Sequence, residues 1–327
     1  MTIVVTGGAG YIGSQMVRLL RSRNMPVAIV DDFCTGHRDV IPAGVPLLEA
    51  DVADRPRVAA FLREHAARAI IHFAARALVG ESVVDPRLYW RHNLAGTVGL
   101  LDAALDAGVS RVVFSSTCAV YGVPSVVPIP EGHPTAPINP YGRSKLAIEG
   151  MLADYAAAYG LRYAALRYFN AAGAEPQHGL GERHRIETHL IPLVLQAALG
   201  QRPHVTVLGD DYPTPDGSCV RDYIHVADLC EAHLKALEFL DGGGASGPFN
   251  LGTGRGHSVL EVISAARALT GREIPVVIGP RRPGDPPALV ASATSAQAVL
   301  GWVPRRSSLE EILRDAWSFH SARSGSA

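Results

Sequence analysis

Tyr141 and Lys145 stand four residues apart in Pro140-Tyr141-Gly142-Arg143-Ser144-Lys145, so on a helix both project from one face. A phenol ordinarily titrates near 10. A neighbouring ammonium, and the positive charge of an oxidised nicotinamide, favour its ionised form. Such a tyrosine can take a hydroxyl proton while hydride leaves the same carbon. The spacing alone is common, and an exposed Tyr with a solvated Lys would produce it too. Thr117 closes Phe114-Ser115-Ser116-Thr117; its hydroxyl can bond a substrate oxygen or relay its proton, whereas Ser115 and Ser116 suit bonds to backbone.

A second constellation opens the chain. The run Ile3-Val4-Val5-Thr6 leads into Gly7-Gly8-Ala9-Gly10-Tyr11-Ile12-Gly13. Gly7, Gly10 and Gly13 permit a tight turn and close backbone approach to a pyrophosphate at a helix N-terminus. Asp31 lies 18 residues past Gly13 at the end of the next apolar run. A carboxylate there accepts from an adenosine ribose and repels a 2′-phosphate, which favours NAD over NADP. Asp51-Val52 fits the place where an adenine is held, although Asp51 could equally cap the next helix.

These groups need a scaffold, and the periodicities supply one. Apolar runs predict strands at 3–6, 27–30, 47–50, 69–73, 111–115 and 162–167. Helical spacing predicts helices at 11–23, 54–67, 86–107 and 140–159, with Asp54 as an N-cap and Gly108 and Gly160 as stops. The alternation implies an α/β fold: a Rossmann-like doubly wound parallel sheet whose ligands sit beyond the C-terminal strand ends. From Phe169 onward Gly- and Pro-rich stretches separate short helices. The expected division is a cofactor-binding domain over 1–170 and a smaller α/β substrate domain over 171–327, with some segments returning to the first. Residues 321–327 are expected to fray.

Composition narrows the function classes. The chain has 327 residues, 30 basic and 31 acidic, for a net charge of −1. That excludes a global electrostatic pull toward nucleic acid or an anionic membrane. The N-terminus does not read as a secretion signal, and no apolar run reaches the ~18 residues of a membrane span. The four cysteines show no CxxC spacing and read as reduced thiols of a cytoplasmic protein. His184 and His189 lie beside Glu182 and Glu187 in a polar, loop-like stretch; no metal site is expected there or elsewhere. Glycine is in excess at 33 residues. Beyond the turn, Gly209, Gly217, Gly252, Gly254 and Gly284 fall in loops of the second half.

The segments TGGAGYIGS (6–14), FSSTCAVYG (114–122), YGRSK (141–145) and RYFN (167–170) resemble the extended short-chain dehydrogenase/reductase superfamily. HFAARALVGES (72–82), ETHLIPLVLQAALGQ (187–201), GDDYPTPDGSCVRDYIHVADL (209–229), FNLGTG (249–254) and PRRPGDPPALVAS (280–292) resemble its UDP-glucose 4-epimerase family. The resemblance spans roughly 1–320.

It implies a redox-neutral isomerase that keeps NAD bound and inverts C4 of a UDP-sugar through a 4-keto intermediate. Tyr141 would be the base and acid, Lys145 its tuner and a holder of the nicotinamide ribose, and Thr117 the group orienting O4. Cofactor contacts would come from Tyr11 and Ile12, from Asp31, Asp32, Phe33, Cys34, Thr35 and Gly36, and from Asp51 and Val52. Phe73, Ala74, Ala75, Asn93 and Phe169 complete that set. Asn170, Arg221 and Arg282 match diphosphate contacts, Asp285 a uridine-ribose contact, and His189 and Leu190 positions near the diphosphate. A homodimer built on the helices near 86–107 and 140–159 is also implied.

Three positions depart from the family pattern. Ala77 stands where a Lys is frequent, with Arg76 beside it; Leu208 replaces an aromatic near the uracil; Leu289 occupies a gate on the sugar's 2-substituent. The last suggests that UDP-N-acetylhexosamines are also accepted. Epimerisation of a UDP-uronate or UDP-pentose would use the same catalytic half. A 4,6-dehydratase would carry an Asp-Glu pair after the catalytic Thr, where this chain has Cys118-Ala119. A non-catalytic NAD-sensing protein would not need Thr117, Tyr141 and Lys145 together.

Overall fold

The structure, a computed structural model, describes residues 2–282 and 285–324, so Gly284 and the last three residues lie outside it. Its first half runs β1 (Thr2–Thr6), α1 (Tyr11–Ser22), β2 (Val27–Asp31), β3 (Leu47–Glu49), α2 (Arg55–Glu64) and β4 (Ala67–His72). It continues with α3 (Val79–Val84), α4 (Pro86–Tyr89), α5 (Gly96–Asp106), β5 (Arg111–Thr117), α6 (Pro140–Tyr159) and β6 (Arg162–Tyr168). The strands pair in parallel in the order β3-β2-β1-β4-β5-β6, and the strand Gly247–Leu251 adds a seventh beside β6.

Both faces of this sheet are dry, which is why its strands read as unbroken apolar runs. Ile3, Val5, Ile29, Ile71 and Val113 face α1 and the helix Val226–Asp241. Val4, Ala28, Val30, Ile70 and Val112 face α2, α5 and α6. The sheet therefore draws its seventh strand and one covering helix from beyond residue 170. A third core joins the helices Leu190–Ala198, Val259–Thr270 and Leu309–Ser324 over the parallel pair Val205–Leu208 and Val276–Gly279.

Most predicted elements fall in place, with local differences. The helix predicted at 86–107 is interrupted by a wide turn over Trp90–Ala95. Thr97 Oγ donates to the Asn93 carbonyl at 2.6 Å, a back-bond of the kind that bends helices. The helix α3 has no counterpart in the sequence reading. β4 begins at Ala67 because Ala66, with φ +47°, ends α2's exit early. The C-terminal end is not frayed as far as Ser324, where the helix from Leu309 still runs. No helix among the described residues is long and apolar enough to cross a membrane. All four cysteines are free, Cys34 exposed and the others buried.

Candidate active site

The catalytic candidates converge at the C-terminal end of the central sheet. Thr117 is the last residue of β5 and buried. Its Oγ accepts the Ala119 N–H at 3.1 Å, which turns the chain out of the sheet. Across from it α6 starts where Asn139 caps the Gly142 N–H at 2.8 Å, with Pro140 in the first turn. Gly142 is required there, since a Cβ would lie 2.5 Å from the Ala119 carbonyl. Tyr141 and Lys145 thus face the strand end from the first turns of a twenty-residue helix closed by Gly160 at φ +72°.

Lys145 is buried, and its Nζ donates to the Ser115 carbonyl at 2.8 Å. It lies 4.8 Å from the Phe114 ring centre and 6.0 Å from that of Tyr141. Burial pulls the ammonium down to about 7, against an upward pull from Glu149. Burial also pushes the Tyr141 phenol far above its usual range; Tyr168 adds to this and a hydrogen bond with Thr117 opposes it. The protein's own groups thus favour the protonated phenol, with Lys145 anchored on the Ser115 carbonyl beside it.

A buried network behind this triad was not anticipated. Glu149, one turn past Lys145, receives Arg167 Nε at 3.0 and 3.2 Å and NH2 at 2.5 Å, and Ser116 Oγ at 2.5 Å. Arg167 also donates to Tyr121 Oη at 2.9 Å, and that phenol donates to Asn250 at 2.7 Å. The network clamps α6 to β5 at Ser116, between the residues that hold Lys145 and orient Tyr141. The i,i+4 relation of Lys145 and Glu149 was its one signal in the sequence. Both partners are less than a tenth exposed, and breaking a buried pair costs about 3–5 kcal/mol. Glu149→Gln is therefore expected to lower unfolding stability by about 3 kcal/mol, read as a reduced urea midpoint. A loss below about 1 kcal/mol would show that Tyr121 and Ser116 suffice to hold Arg167.

The glycine turn forms as its spacing predicts. Gly7 sits at φ +71°, and a Cβ there would lie 2.7 Å from the Ala74 amide. A Cβ on Gly13 would meet the Gly7 carbonyl at 2.0 Å. Asp31 Oδ2 accepts the Ala9 N–H and its Oδ1 the Phe33 N–H, both at 2.8 Å. The acid thus ties the turn to the loop Asp32, Phe33, Cys34, Thr35 and Gly36. Phe33 has φ +57° and lies under the Arg38 guanidinium at 4.1 Å. Tyr11 Oη donates to the Gly173 carbonyl at 2.7 Å. A cleft lined by Gly10, Tyr11, Thr35, His37, Arg183 and His184 opens beside the turn.

The loop after β4 carries Phe73, Ala74 and Ala75 past Gly7. Asn93 holds that loop, accepting the Arg76 N–H at 2.8 Å and donating to Arg76 O and Ser144 Oγ. Asn93 therefore acts on the loop, and Arg76 becomes the notable donor: its Nε is shut off from solvent without a partner. Asp51 Oδ1 accepts the Ala53 N–H at 2.9 Å, while Asp54, not Asp51, caps α2. Val52 packs in the core beside α5.

The second half meets the triad from the other side. The short strand Asn170–Ala172 pairs with Val220–His225, and Asn170 Nδ2 donates to the Asp222 carbonyl at 3.1 Å. Arg221 pairs with Asp285. The register sets Leu289 opposite Arg221, and Leu289 packs against the cluster of Cys118, Tyr121 and Phe169. Leu208 ends its strand partly buried. Arg282 is exposed, and its neighbour Arg281 instead binds Asp211 at 2.5 Å over the Tyr212 ring. His189 and Leu190 begin the helix Leu190–Ala198.

Residues 3–252 match the profile of the NAD dependent epimerase/dehydratase family. The chain is 51% identical to the UDP-glucose 4-epimerase of Halalkalibacterium halodurans over 98% of this chain and 96% of that one. Among solved structures it is similar to the UDP-glucose 4-epimerase from Brucella ovis in complex with NAD, with 50% identity, 97% of each chain covered and a TM-score of 0.94. It is also similar to that from Stenotrophomonas maltophila with bound NAD and formylated UDP-arabinopyranose, with 45% identity, full coverage of both chains and a TM-score of 0.96.

Proposed function

The chain belongs to the NAD dependent epimerase/dehydratase family, and from that premise we propose that it interconverts UDP-glucose and UDP-galactose by inverting C4. The observation that carries this reading is the convergence of Thr117, Tyr141 and Lys145 at the strand end beside the glycine turn. The residues present fit NAD. The Gly7–Gly13 contacts leave space that only backbone can line, and Arg76 Nε is a buried donor without a partner. Arg76 then supplies the cation that the chain lacks at Ala77. NAD, when bound, accepts and returns the hydride of C4, and its nicotinamide brings the positive charge that a phenolate needs.

In this reading Tyr141 takes the O4 proton and returns it after the 4-keto sugar has turned over its other face. Thr117 holds O4 and, through its bond to Tyr141, favours the ionised phenol. Asn170, Arg221 and Arg282 hold the diphosphate, and Asp285 the uridine ribose. The Arg221–Asp285 pair supports the placement of these two groups side by side. His189, Leu190 and Leu208 line the nucleotide. Asp31 to Gly36, Asp51, Val52, Phe73 to Ala75 and Phe169 line the cofactor. The division at residue 170 separates these roles, although the sheet itself crosses it.

The test is a coupled assay of UDP-galactose conversion to UDP-glucose without added NAD. Turnover is expected, and its absence from a folded, NAD-loaded protein would overturn the reading. The position of Leu289 opposite Arg221 and beside Phe169 supports a gate on the sugar's 2-substituent. UDP-N-acetylgalactosamine is expected to turn over within about 200-fold of UDP-galactose, since a hydrophobic pocket discriminates one small group by roughly 1–3 kcal/mol; no turnover would sink the idea. A cytoplasmic homodimer is part of the same proposal, supported by the free thiols and by the exposed Trp90, Val98 and Tyr159 on the two implied helices. Sedimentation velocity measures it.

A further inference from the structure

The loop between the strand Leu180–Gly181 and the helix Leu190–Ala198 holds Glu182, His184, Glu187 and His189. Their spacing resembles no familiar ligand pattern. Folding brings one donor atom of each within 4.8 Å of all the others. His184 Nδ1 lies 3.2 Å from Glu182 Oε1 and 3.5 Å from Glu187 Oε2. His189 Nδ1 lies 3.7 Å from Glu187 Oε1 and in close contact with Glu182 Oε1. A tetrahedral ion with ligand distances of about 2.0–2.2 Å has edges of roughly 3.3–3.6 Å. The two edges from His184, to Glu182 Oε1 and Glu187 Oε2, fall close to that range without any rearrangement.

A second observation is independent of these distances. His184 Nδ1 is shut off from solvent and has no hydrogen-bond partner, although two carboxylates face it. A nitrogen held between two carboxylates at ion-pair distance, with no well-directed hydrogen bond to either, is placed to give its lone pair to a cation between them. The carboxylates are also fixed. Glu182 is 3% exposed. Glu187 Oε1 accepts the N–H groups of Thr188 at 2.8 Å and His189 at 2.9 Å, which leaves Oε2 toward His184. Such outer bonds orient ligands in metal sites.

We propose that Glu182, His184, Glu187 and His189 form a closed, four-coordinate site for a zinc ion. Two imidazoles with two carboxylates suit zinc better than magnesium or calcium, which take oxygen ligands. Two carboxylate charges and one divalent cation sum to zero, so the site is not left with an uncompensated buried charge. The ion's role is structural. Within the loop, Arg183 binds Asp39 at 2.6 Å and its carbonyl pairs with His37 Nε2 at 2.8 Å. His184 lines the cleft beside Gly10 and Tyr11. At its other end His189 opens the helix Leu190–Ala198. Zinc therefore fastens the segment that joins the cofactor turn to the nucleotide-binding half.

Untagged full-length protein, produced with zinc in the medium and desalted, tests this by elemental analysis. About one zinc per chain is expected. After chelation, added Co2+ is expected to give the visible d–d bands of a tetrahedral site, and zinc to bleach them. His184→Ala and Glu187→Gln should each lose the metal and the bands, and their melting temperatures should stop responding to chelator. A wild-type chain without zinc and without cobalt bands overturns the proposal. So does a His184→Ala protein that keeps full metal content. If a variant does not fold, the wild-type metal content and cobalt spectrum still decide.

Discussion

Tyr141→Phe is expected to lower kcat by roughly 100- to 10,000-fold, the span that one positioned acid–base group contributes, while NAD stays bound. The phenylalanine ring keeps the edge-on contact with Tyr89, whose centre is 6.2 Å away at 80°. What disappears is one hydroxyl in a buried site that already resists its ionisation. The fold should therefore be indifferent to the change, and the loss should appear in kcat far more than in KM. The coupled assay reads the first, and absorbance of NAD released by acid reads cofactor content. Residual activity above a few per cent would mean that Thr117 or a water is the main base. Loss of NAD would instead place Tyr141 in cofactor retention. The pH profile adds a sign. Burial raises the phenol and the nicotinamide charge lowers it, so turnover should climb with pH until the phenol ionises. A wild-type profile that climbs with pH, and a flat one for Tyr141→Phe, is the expected pair.

The parts of this site that could be read from the sequence are those where one local rule decides the outcome. α6 runs from Pro140 to Tyr159 as spacing, Asn139 and Gly160 dictate, so Tyr141 and Lys145 had to share a face. Gly7 and Gly13 touch backbone, and no other residue fits. Asp31 ends β2 as expected, yet both its oxygens bind the N–H groups of Ala9 and Phe33, so it shapes the turn as well as any ribose. The unread parts are long-range. The strand Gly247–Leu251 joins β6 from more than eighty residues away, and no local pattern announces which sheet a five-residue strand will choose. Glu149 and Arg167 look like surface charges until α6 and β6 are packed together. Asn93 enters the cofactor set only through the resemblance, and no local pattern shows that its three hydrogen bonds go to the loop and helix around it. The Glu182 cluster needed loop geometry that four polar residues in a row of polar residues do not encode.

Lys145→Met carries the other large effect, and its two readouts should diverge. Turnover is expected to fall by roughly 100-fold or more, because the ammonium holds Ser115 and stands 6.0 Å from the Tyr141 ring. Stability should not fall with it. Burial lowers Lys145 from 10.5 to about 7, so the folded protein resists a charge that the unfolded chain carries freely. The sign follows from proton counting. Between pH 7 and 10.5 the unfolded state binds the extra proton, so lysine destabilises the fold there, most at the lower end and not at all above 10.5. Below pH 7 the full difference applies, on the order of 5 kcal/mol at 1.36 kcal/mol per unit. Methionine removes that term at the cost of one hydrogen bond to the Ser115 carbonyl, worth about 1–3 kcal/mol when a partner is left unsatisfied. The first term is larger, so Lys145→Met should match or exceed wild type in melting temperature near pH 7, and its advantage should shrink as pH rises toward 10.5. A variant that loses both turnover and melting temperature at pH 7 would show that Lys145 holds the fold together through Ser115, and its catalytic assignment would then need evidence from the pH profile alone.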